Sequence, residues 1–365
     1  AGFPKQFVCL QGTESLFQQT IKRLIGICSE NIRMCDPILV ASEDHRFLVT
    51  EQLREVSVFS ATMLLEPESK NTAPALTLAA LAAIENGDDP ILAVIPADHA
   101  IADETEFNRA LLDAIEQATE GGIVIMGVSP TSAETGYGYI KALVSNDASF
   151  VVEKFVEKPD LELAKTLIKD SHYLWNSGIF LFKASTILKE LKKFEPEIVK
   201  ICDESLKKGV DDLDFFRINK EIFKKCPNIP IDIAVMEKTD LGSVLTLQAG
   251  WDDIGSWKSI WENSKKDENG NSLEGKIIIE DSKNCYLRSE GRLIVGIDLV
   301  DLIIVETDDA ILVSNKDCSQ KVKKVVQKLN KANFVEGLHN KKSYRPWGSF
   351  TNIEKGATWQ VKRLE

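Results

Sequence analysis

Two stretches place carboxylates where a phosphate-bound cation could be held. Asp98 stands in Pro96-Ala97-Asp98-His99, directly after the apolar run Ile91-Leu92-Ala93-Val94-Ile95. Such a run reads as a buried strand, and in an open α/β sheet ligands bind beyond the carboxyl ends of strands. A carboxylate there suits Mg²⁺, which takes one or two carboxylates together with substrate phosphate oxygens. Its plainer role is to cap a turn. Asp252 and Asp253 lie in Gly250-Trp251-Asp252-Asp253-Ile254-Gly255-Ser256-Trp257. Flanking tryptophan and glycine imply a rigid loop that presents one carboxylate, with Asp252 capping or facing solvent. Two other stretches suit a sugar. In Trp175-Asn176-Ser177-Gly178 the glycine allows close backbone approach and the Asn176 amide can bridge hydroxyls. Gly136-Tyr137-Gly138-Tyr139 offers backbone access and aromatic faces.

The elements that must position these residues alternate between strand and helix. Residues 37–41, 91–95 and 123–128 are short apolar runs, expected as strands covered on both faces. Residues 15–24 place Leu16, Phe17, Thr20, Ile21 and Leu24 on one helical face. Asp160 is positioned to N-cap a helix carrying Leu161, Leu163, Ala164, Leu167 and Ile168. This alternation predicts a doubly wound, mostly parallel α/β domain over residues 1–264. The pattern changes at the polar linker Lys265–Asn271. Beyond it, β-branched runs at 276–280, 292–297, 302–306 and 310–313 follow without a helix, so a smaller β-rich domain is expected over 265–335. A basic helix near Ser319–Lys331 closes it with a solvated lysine face. Residues 336–365 read as a linker and the start of a further domain.

Bulk properties narrow the function. The 365 residues carry a net charge of −12, which disfavours nucleic acid as a partner. No apolar run reaches the roughly 20 residues of a membrane span, and no basic-then-apolar leader opens the sequence. Seven cysteines without a CxxC pair read as free thiols in a reducing cytoplasm.

Taken in order, Phe3-Pro4-Lys5-Gln6-Phe7, Glu66-Pro67 with Asn71-Thr72-Ala73-Pro74-Ala75, the Asp98 motif, Thr135–Tyr139, Phe155-Val156-Glu157-Lys158-Pro159, Trp175–Phe180 and Gly250–Trp257 resemble one family. It is the mannose-1-phosphate guanylyltransferase (GDP-mannose pyrophosphorylase) family, in the long bacterial form that is fused to a mannose-6-phosphate isomerase. The resemblance implies a nucleotide-diphospho-sugar transferase fold, Rossmann-like, with a β-helix-like second domain. It implies that GTP and mannose 1-phosphate give GDP-mannose and diphosphate with Mg²⁺ held by Asp98 and Asp253. Lys5 would reach the nucleotide phosphates. Glu157 would take sugar hydroxyls and Lys158 the sugar phosphate. Glu66, Asn71, Thr72, Ala73 and Pro74 would belong to the base and ribose segment, with Gly136, Tyr137, Asn176, Ser177 and Gly178 on the sugar side. Asp232 matches a family acid without an assigned role. A homodimer is left open.

Two departures accompany the resemblance. Where the family has Gly-Arg before Asn-Thr-Ala-Pro-Ala, this sequence has Ser69-Lys70, which keeps the charge and loses the bidentate fork. The family's glycine-rich phosphate loop and the strand before it have no counterpart in these residues. Tyr344–Phe350 resembles the start of the isomerase domain, but the four histidines are scattered and build no cupin-type metal cluster. Two rival readings stand beside the first. One is another hexose-1-phosphate nucleotidyltransferase, using uridylyl or thymidylyl transfer. The other is a catalytically silent sugar-nucleotide-binding module.

Overall fold

The computed structural model describes residues 4–10, 12–25, 27, 32–144, 150–307, 310–332, 342–345, 347–356 and 358–364. Phe3, Cys28, His339 and Pro346, each part of the sequence reading, lie outside the described residues. The chain forms two compact units, Thr20–Pro96 with Ile101–Trp251, and Ala1–Gln19 with Ala97–Ala100 and Asp252–Glu365.

Strands β1 Ile38–Ser42, β2 Thr62–Glu66, β3 Ile91–Val94, β4 Ala100–Ile101 and β5 Ile123–Val128 come first. Then follow β6 Tyr139–Val144, β7 Phe150–Val156, β8 Tyr173–Lys183, β9 Val210–Asp212, β10 Phe215–Arg217, β11 Gly242–Thr246 and β12 Trp251–Asp252. Next are β13 Ser272–Glu274, β14 Ile277–Glu280, β15 Tyr286–Ser289, β16 Ile294–Ile297, β17 Leu302–Glu306 and β18 Ile311–Asn315. The chain closes with β19 Lys342–Arg345, β20 Gly348–Lys355 and β21 Gln360–Leu364.

The larger unit is built on a six-stranded sheet in the order β3-β8-β5-β11-β7-β6. Ile123 and Ile125 of β5 pack with Leu76, Leu78, Ile187 and Ile198 from helices 72–83, 184–194 and 196–207. Val124 and Met126 pack instead with Phe107 and Leu111 of helix 104–119. Alternate residues thus enter two cores, which is why this run is apolar throughout. The expected runs at 37–41, 91–95 and 123–128 appear as β1, β3 and β5. Asp160 caps helix 161–167 by accepting from Leu163 N at 2.9 Å.

The α/β class is as expected, but the large sheet is more mixed than the sequence suggested. β5 and β11 pair in parallel, whereas β8 is antiparallel to both β3 and β5. The expectation of mostly parallel strands treated every apolar run as one limb of a βαβ unit. β8 instead inserts between two strands of that kind and runs back along them. A four-stranded sheet, β1-β2-β10-β9, completes the unit.

In the other unit, strands stack in parallel coils. Ile277 pairs with Ile294, and Tyr286 with Ile303, each seventeen residues further on. The corners also repeat, for Asp281 and Asn284, then Asp298 and Asp301, all have φ near +50°. Asp and Asn tolerate that left-handed conformation better than other side-chain-bearing residues. The core holds Tyr286, Ile303, Val305, Leu10, Leu16, Ile254 and Ile260. Helix 322–331 has no buried residue, in keeping with a solvated lysine face. β19, β20 and β21 form a separate antiparallel sheet. No helix among the described residues is long and apolar enough to cross a membrane.

Candidate functional site

In the smaller unit, three separated segments bring one lysine to two acids. Lys5 opens the short 3-10 turn Lys5–Phe7, which Phe7 anchors by an edge-on contact with Phe17 at 5.6 Å. Lys5 Nζ lies 3.0 Å from Asp98 Oδ2. It also donates to the Asp253 carbonyl at 2.5 Å. His99 Nε2 is 3.7 Å from Asp98 Oδ1. Burial pushes the His99 imidazole below its ordinary value despite the acids around it.

The two adjacent aspartates divide their work. Asp252 accepts from Ile254 N at 2.6 Å, from the Ser259 hydroxyl, and from Asn263 Nδ2 at 3.0 Å. It ties the loop to helix 257–263, whose N-cap is Ser256. Asp253 accepts from Gly255 N at 2.8 Å. A Cβ at Gly255 would fall 2.9 Å from both Asp253 carboxylate oxygens, so glycine makes room for them. Asp98 and Asp253 offer hard oxygen atoms of the kind Mg²⁺ takes, and the Lys5 ammonium already lies against the Asp98 carboxylate and the Asp253 main-chain carbonyl. Among the described residues, no group of three or more His, Cys, Asp and Glu side chains is placed to hold a metal alone. A Mg²⁺ ion here would draw its other ligands from substrate and water.

In the larger unit, the sugar-side residues converge around Gly138. Asn176 N donates to the Gly138 carbonyl at 2.8 Å. A Cβ on Gly138 would sit 2.7 Å from Glu157 Oε2 and 3.2 Å from the Phe155 ring. The Glu157 carboxylate therefore lies against this glycine, with its side chain only 13% exposed. Lys158 is exposed, adopts φ +45°, and pairs with Glu157 at 2.7 Å. A non-glycine residue in that conformation is strained, and such strain collects at ligand sites. Ser177 is buried and donates its hydroxyl to the Met126 carbonyl at 2.6 Å, locking β8 to β5. Gly178 has φ +74°. Gly136 is exposed. Tyr137 packs edge-on against Trp175 at 5.1 Å and Trp251 at 5.4 Å.

The residues expected to meet the base and ribose lie at the end of β2 and the start of helix 72–83. Glu66 is the last residue of β2 and 8% exposed. Its Oε1 is buried with no hydrogen-bond partner among the described residues. Burial raises its carboxyl from 4.5 to about 7. Asn71 has φ +70° and caps the helix by accepting from Thr72 N at 3.1 Å. The Thr72 hydroxyl accepts from Ile231 N at 2.8 Å, and Ala73 N donates to the Ile229 carbonyl at 3.2 Å. Ala73 and Pro74 are buried. Lys70 donates to the Lys224 carbonyl at 2.9 Å and pairs with Glu68 at 3.0 Å.

Sequence reasoning left Asp232 without a role. It begins the π-turn Asp232–Met236 and accepts from Asn176 Nδ2 at 2.7 Å. Burial first, and then the nearby Glu157 carboxylate, raise Asp232 to about 6. No local signal could have found this bond, because 56 residues separate its partners. Gly138 is legible in sequence only as part of the Gly136–Tyr139 motif with its backbone access, and its neighbours in space show what its missing side chain does.

Comparison with known proteins places the chain in a family. The nucleotidyl transferase family matches residues 1–270, and the MannoseP isomerase/GMP-like beta-helix domain matches residues 275–329. The mannose-1-phosphate guanylyltransferase of Salmonella montevideo is 45% identical over 369 residues, spanning 99% of this chain and 77% of the relative. The alginate biosynthesis protein AlgA of Pseudomonas syringae pv. tomato is 43% identical, over 99% of this chain and 74% of its own. Among solved structures, a Thermus thermophilus protein described as a mannose-1-phosphate geranyltransferase superposes with a TM-score of 0.76. It is 28% identical, covering 90% of this chain and 92% of that one. A Helicobacter pylori protein described as a mannose-6-phosphate isomerase gives 0.61 at 33% identity, over 68% of this chain and 94% of that one. The chain belongs to the mannose-1-phosphate guanylyltransferase family, with a nucleotidyl transferase domain followed by a β-helix domain.

Proposed function

We propose that this protein transfers the guanylyl group of GTP to α-D-mannose 1-phosphate, releasing diphosphate and forming GDP-mannose. The observation that carries the reading is the Lys5 ammonium held against Asp98 and the Asp253 carbonyl. A lysine beside a carboxylate supplies the cation and the metal-ligand type that a nucleotide phosphate chain needs for binding and for charge neutralisation.

The sugar phosphate supplies the nucleophile. Its phosphate oxygen bonds to the α-phosphorus of GTP in line, and the bond from that phosphorus to the β-phosphate oxygen breaks. A phosphate monoester is already largely ionised at neutral pH, with a second pKa of about 6, so no general base is required. Mg²⁺, when held by Asp98 and Asp253, neutralises charge on the nucleotide phosphates. Lys5 stabilises charge building on the transferred phosphoryl oxygens. Lys158 offers the sugar phosphate a counter-charge. Glu157 accepts from sugar hydroxyls, and the Asn176 amide offers both a donor and an acceptor to them.

Glu66 supports guanine over the pyrimidines. Guanine presents two adjacent donors, N1–H and N2–H, on its pairing edge. Uracil and thymine present a donor flanked by acceptors. A carboxylate can accept from both guanine donors and would face acceptors on the pyrimidines. A buried carboxyl with one oxygen lacking a partner fits the first base.

The test is turnover with mannose 1-phosphate and Mg²⁺ in an equimolar mixture of GTP, UTP and dTTP, with products resolved by chromatography. GDP-mannose should dominate. A UDP or dTDP sugar in excess would move the protein to a rival specificity. No diphosphate release with any nucleotide would leave a binding module.

A further inference from the structure

We propose that Asp232 is the positioning residue for the Asn176 carboxamide, fixing which end of that amide is presented beside Glu157 and thereby how tightly the sugar phosphate is held. The inference rests on the guanylyltransferase reading above and gives a role to an acid that reading does not use.

The argument begins with the two bonds of one amide. Asn176 Oδ1 accepts from Gly178 N at 3.0 Å, and Asn176 Nδ2 donates to Asp232 Oδ1 at 2.7 Å. A backbone N–H can only donate. A carboxylate can only accept, and a carboxylic acid still accepts at its carbonyl oxygen. Rotating the amide by half a turn would set donor against donor and acceptor against acceptor, losing both bonds. Gly178, at φ +74°, turns its N–H back toward Asn176. Each end of the amide keeps one further valence, an N–H and an oxygen lone pair, for a ligand.

The same residue is tied to the sugar side through its backbone. Asn176 N donates to the Gly138 carbonyl, and the Gly138 Cα is the surface against which the Glu157 carboxylate lies. Asp232, Asn176, Gly138 and Glu157 therefore form one continuous set of contacts. Asp232 is delivered to it by an unusual backbone. In the π-turn 232–236, Glu237 N donates to the Asp232 carbonyl five residues back at 2.9 Å. Single π-turns are rare and often sit at functional sites. The influence of Glu157 on the Asp232 proton is a second sign that the two carboxyls are neighbours. A carboxyl used only to satisfy Asn176 could be replaced by any acceptor, and that substitutability separates positioning from direct contact.

The experiment is a double-mutant cycle read through steady-state kinetics for both substrates. Wild-type turnover of GTP and mannose 1-phosphate is measured first. If another sugar phosphate proves to be the substrate, the cycle is run with that one, so a failure of the parent reading shows in the wild type and a failure of this proposal only in the variants. Asp232→Ala is expected to raise KM for the sugar phosphate about tenfold while KM for GTP stays within about twofold. Asp232→Asn, which keeps a carbonyl acceptor for Asn176, should return the sugar KM to within about threefold of wild type. The double variant Asp232→Ala/Asn176→Ala should be no worse than Asn176→Ala alone. If Asp232→Ala melts below the assay temperature, Asp232→Leu, close in shape and without an acceptor, takes its place in the cycle. Equal losses in the Ala and Asn variants would overturn the proposal, since the charge itself would then matter. So would a parallel rise in KM for GTP, or additive losses in the double variant.

Discussion

Thr72 and Ile231, 159 residues apart, share a hydrogen bond in which the Ile231 N–H donates to the threonine hydroxyl at 2.8 Å. Thr72 lies in the segment proposed to hold the base and ribose, and Ile231 immediately precedes Asp232. One bond therefore joins the segment assigned to the nucleotide with the turn that reaches the sugar-side amide. Rearrangement of either segment strains the other, so the two substrates are expected to influence each other's binding.

Neighbouring aspartates should fail in different ways. Asp253→Asn and Asp98→Asn are expected to lower kcat at least about 100-fold, with melting temperatures close to wild type. Asp252→Ala should instead lose roughly 2 kcal/mol of stability, because it leaves three donors without their acceptor. Parallel melting curves and diphosphate-release assays separate the two. Near-normal turnover in Asp253→Asn would remove it from the metal site.

Gly138→Ala isolates the sugar-side carboxylate. The added methyl would displace the far end of the flexible Glu157 side chain and press more lightly on the Phe155 ring at 3.2 Å. Melting should fall modestly, while KM for mannose 1-phosphate rises about tenfold and KM for GTP barely moves. Glu157→Gln should erode the preference for mannose 1-phosphate over glucose 1-phosphate. An unchanged ratio of kcat/KM for the two sugars would show that this carboxylate reads neither.

Glu66 makes stability depend on pH in an unusual direction. Its carboxyl titrates at about 7 in the fold against 4.5 in its ordinary setting. Between those values the folded state holds a proton that the unfolded chain releases, so stability falls as pH rises through this window. The penalty is absent below about pH 4.5 and complete above about 7, on the order of 3 kcal/mol. Glu66→Gln removes it. Denaturant midpoints of variant and wild type should coincide near pH 4.5 and diverge in favour of the variant by pH 8. Coincidence at both pH values would mean that the carboxyl is solvated. The same variant should raise KM for GTP.

The opposite sign applies to Glu306. Its buried carboxylate accepts from the N–H groups of Glu290, Gly291 and Arg292, from the Ser289 hydroxyl and from the Arg292 guanidinium. Burial opposes its ionisation, but those donors win and hold it below the usual carboxylate range. The stability it contributes is present above the ordinary carboxylate value and disappears as pH falls through the depressed one. Glu306→Gln should lower the melting temperature at pH 7 and flatten the acid limb of the melting profile. A melting-temperature difference that stays constant from pH 7 to pH 3 would exclude this origin.

Much of the larger unit was legible because burial on both faces of a strand leaves an unmistakable mark. The runs that became β1, β3 and β5 are apolar at nearly every position. The Asp160 cap was legible for a different reason, being local and three residues from its partner. The direction of β8 was not, because its alternation is the same whichever way the strand runs. Nor was the Asn176–Asp232 bond, whose partners meet only through the tertiary fold. The altered acidities of Glu66 and Asp232 arise from surroundings contributed by distant segments. The β-helix was expected only through the resemblance; its seventeen-residue spacing is hard to read directly, because Asp281 and Asn284 recur as Asp298 and Asp301 amid dissimilar strands.

That spacing quantises the unit's length. Ile277 over Ile294 and Tyr286 over Ile303 leave seventeen residues between rungs, with corners at the left-handed aspartates and asparagine, whereas Ser272 over Tyr286 leaves fourteen. One extra residue within a circuit would turn every following side chain in its strand to the opposite face. A whole extra circuit would simply add another rung. This part of the molecule therefore lengthens by whole circuits or at its corners, where the fourteen- and seventeen-residue rungs already differ, and not within a strand.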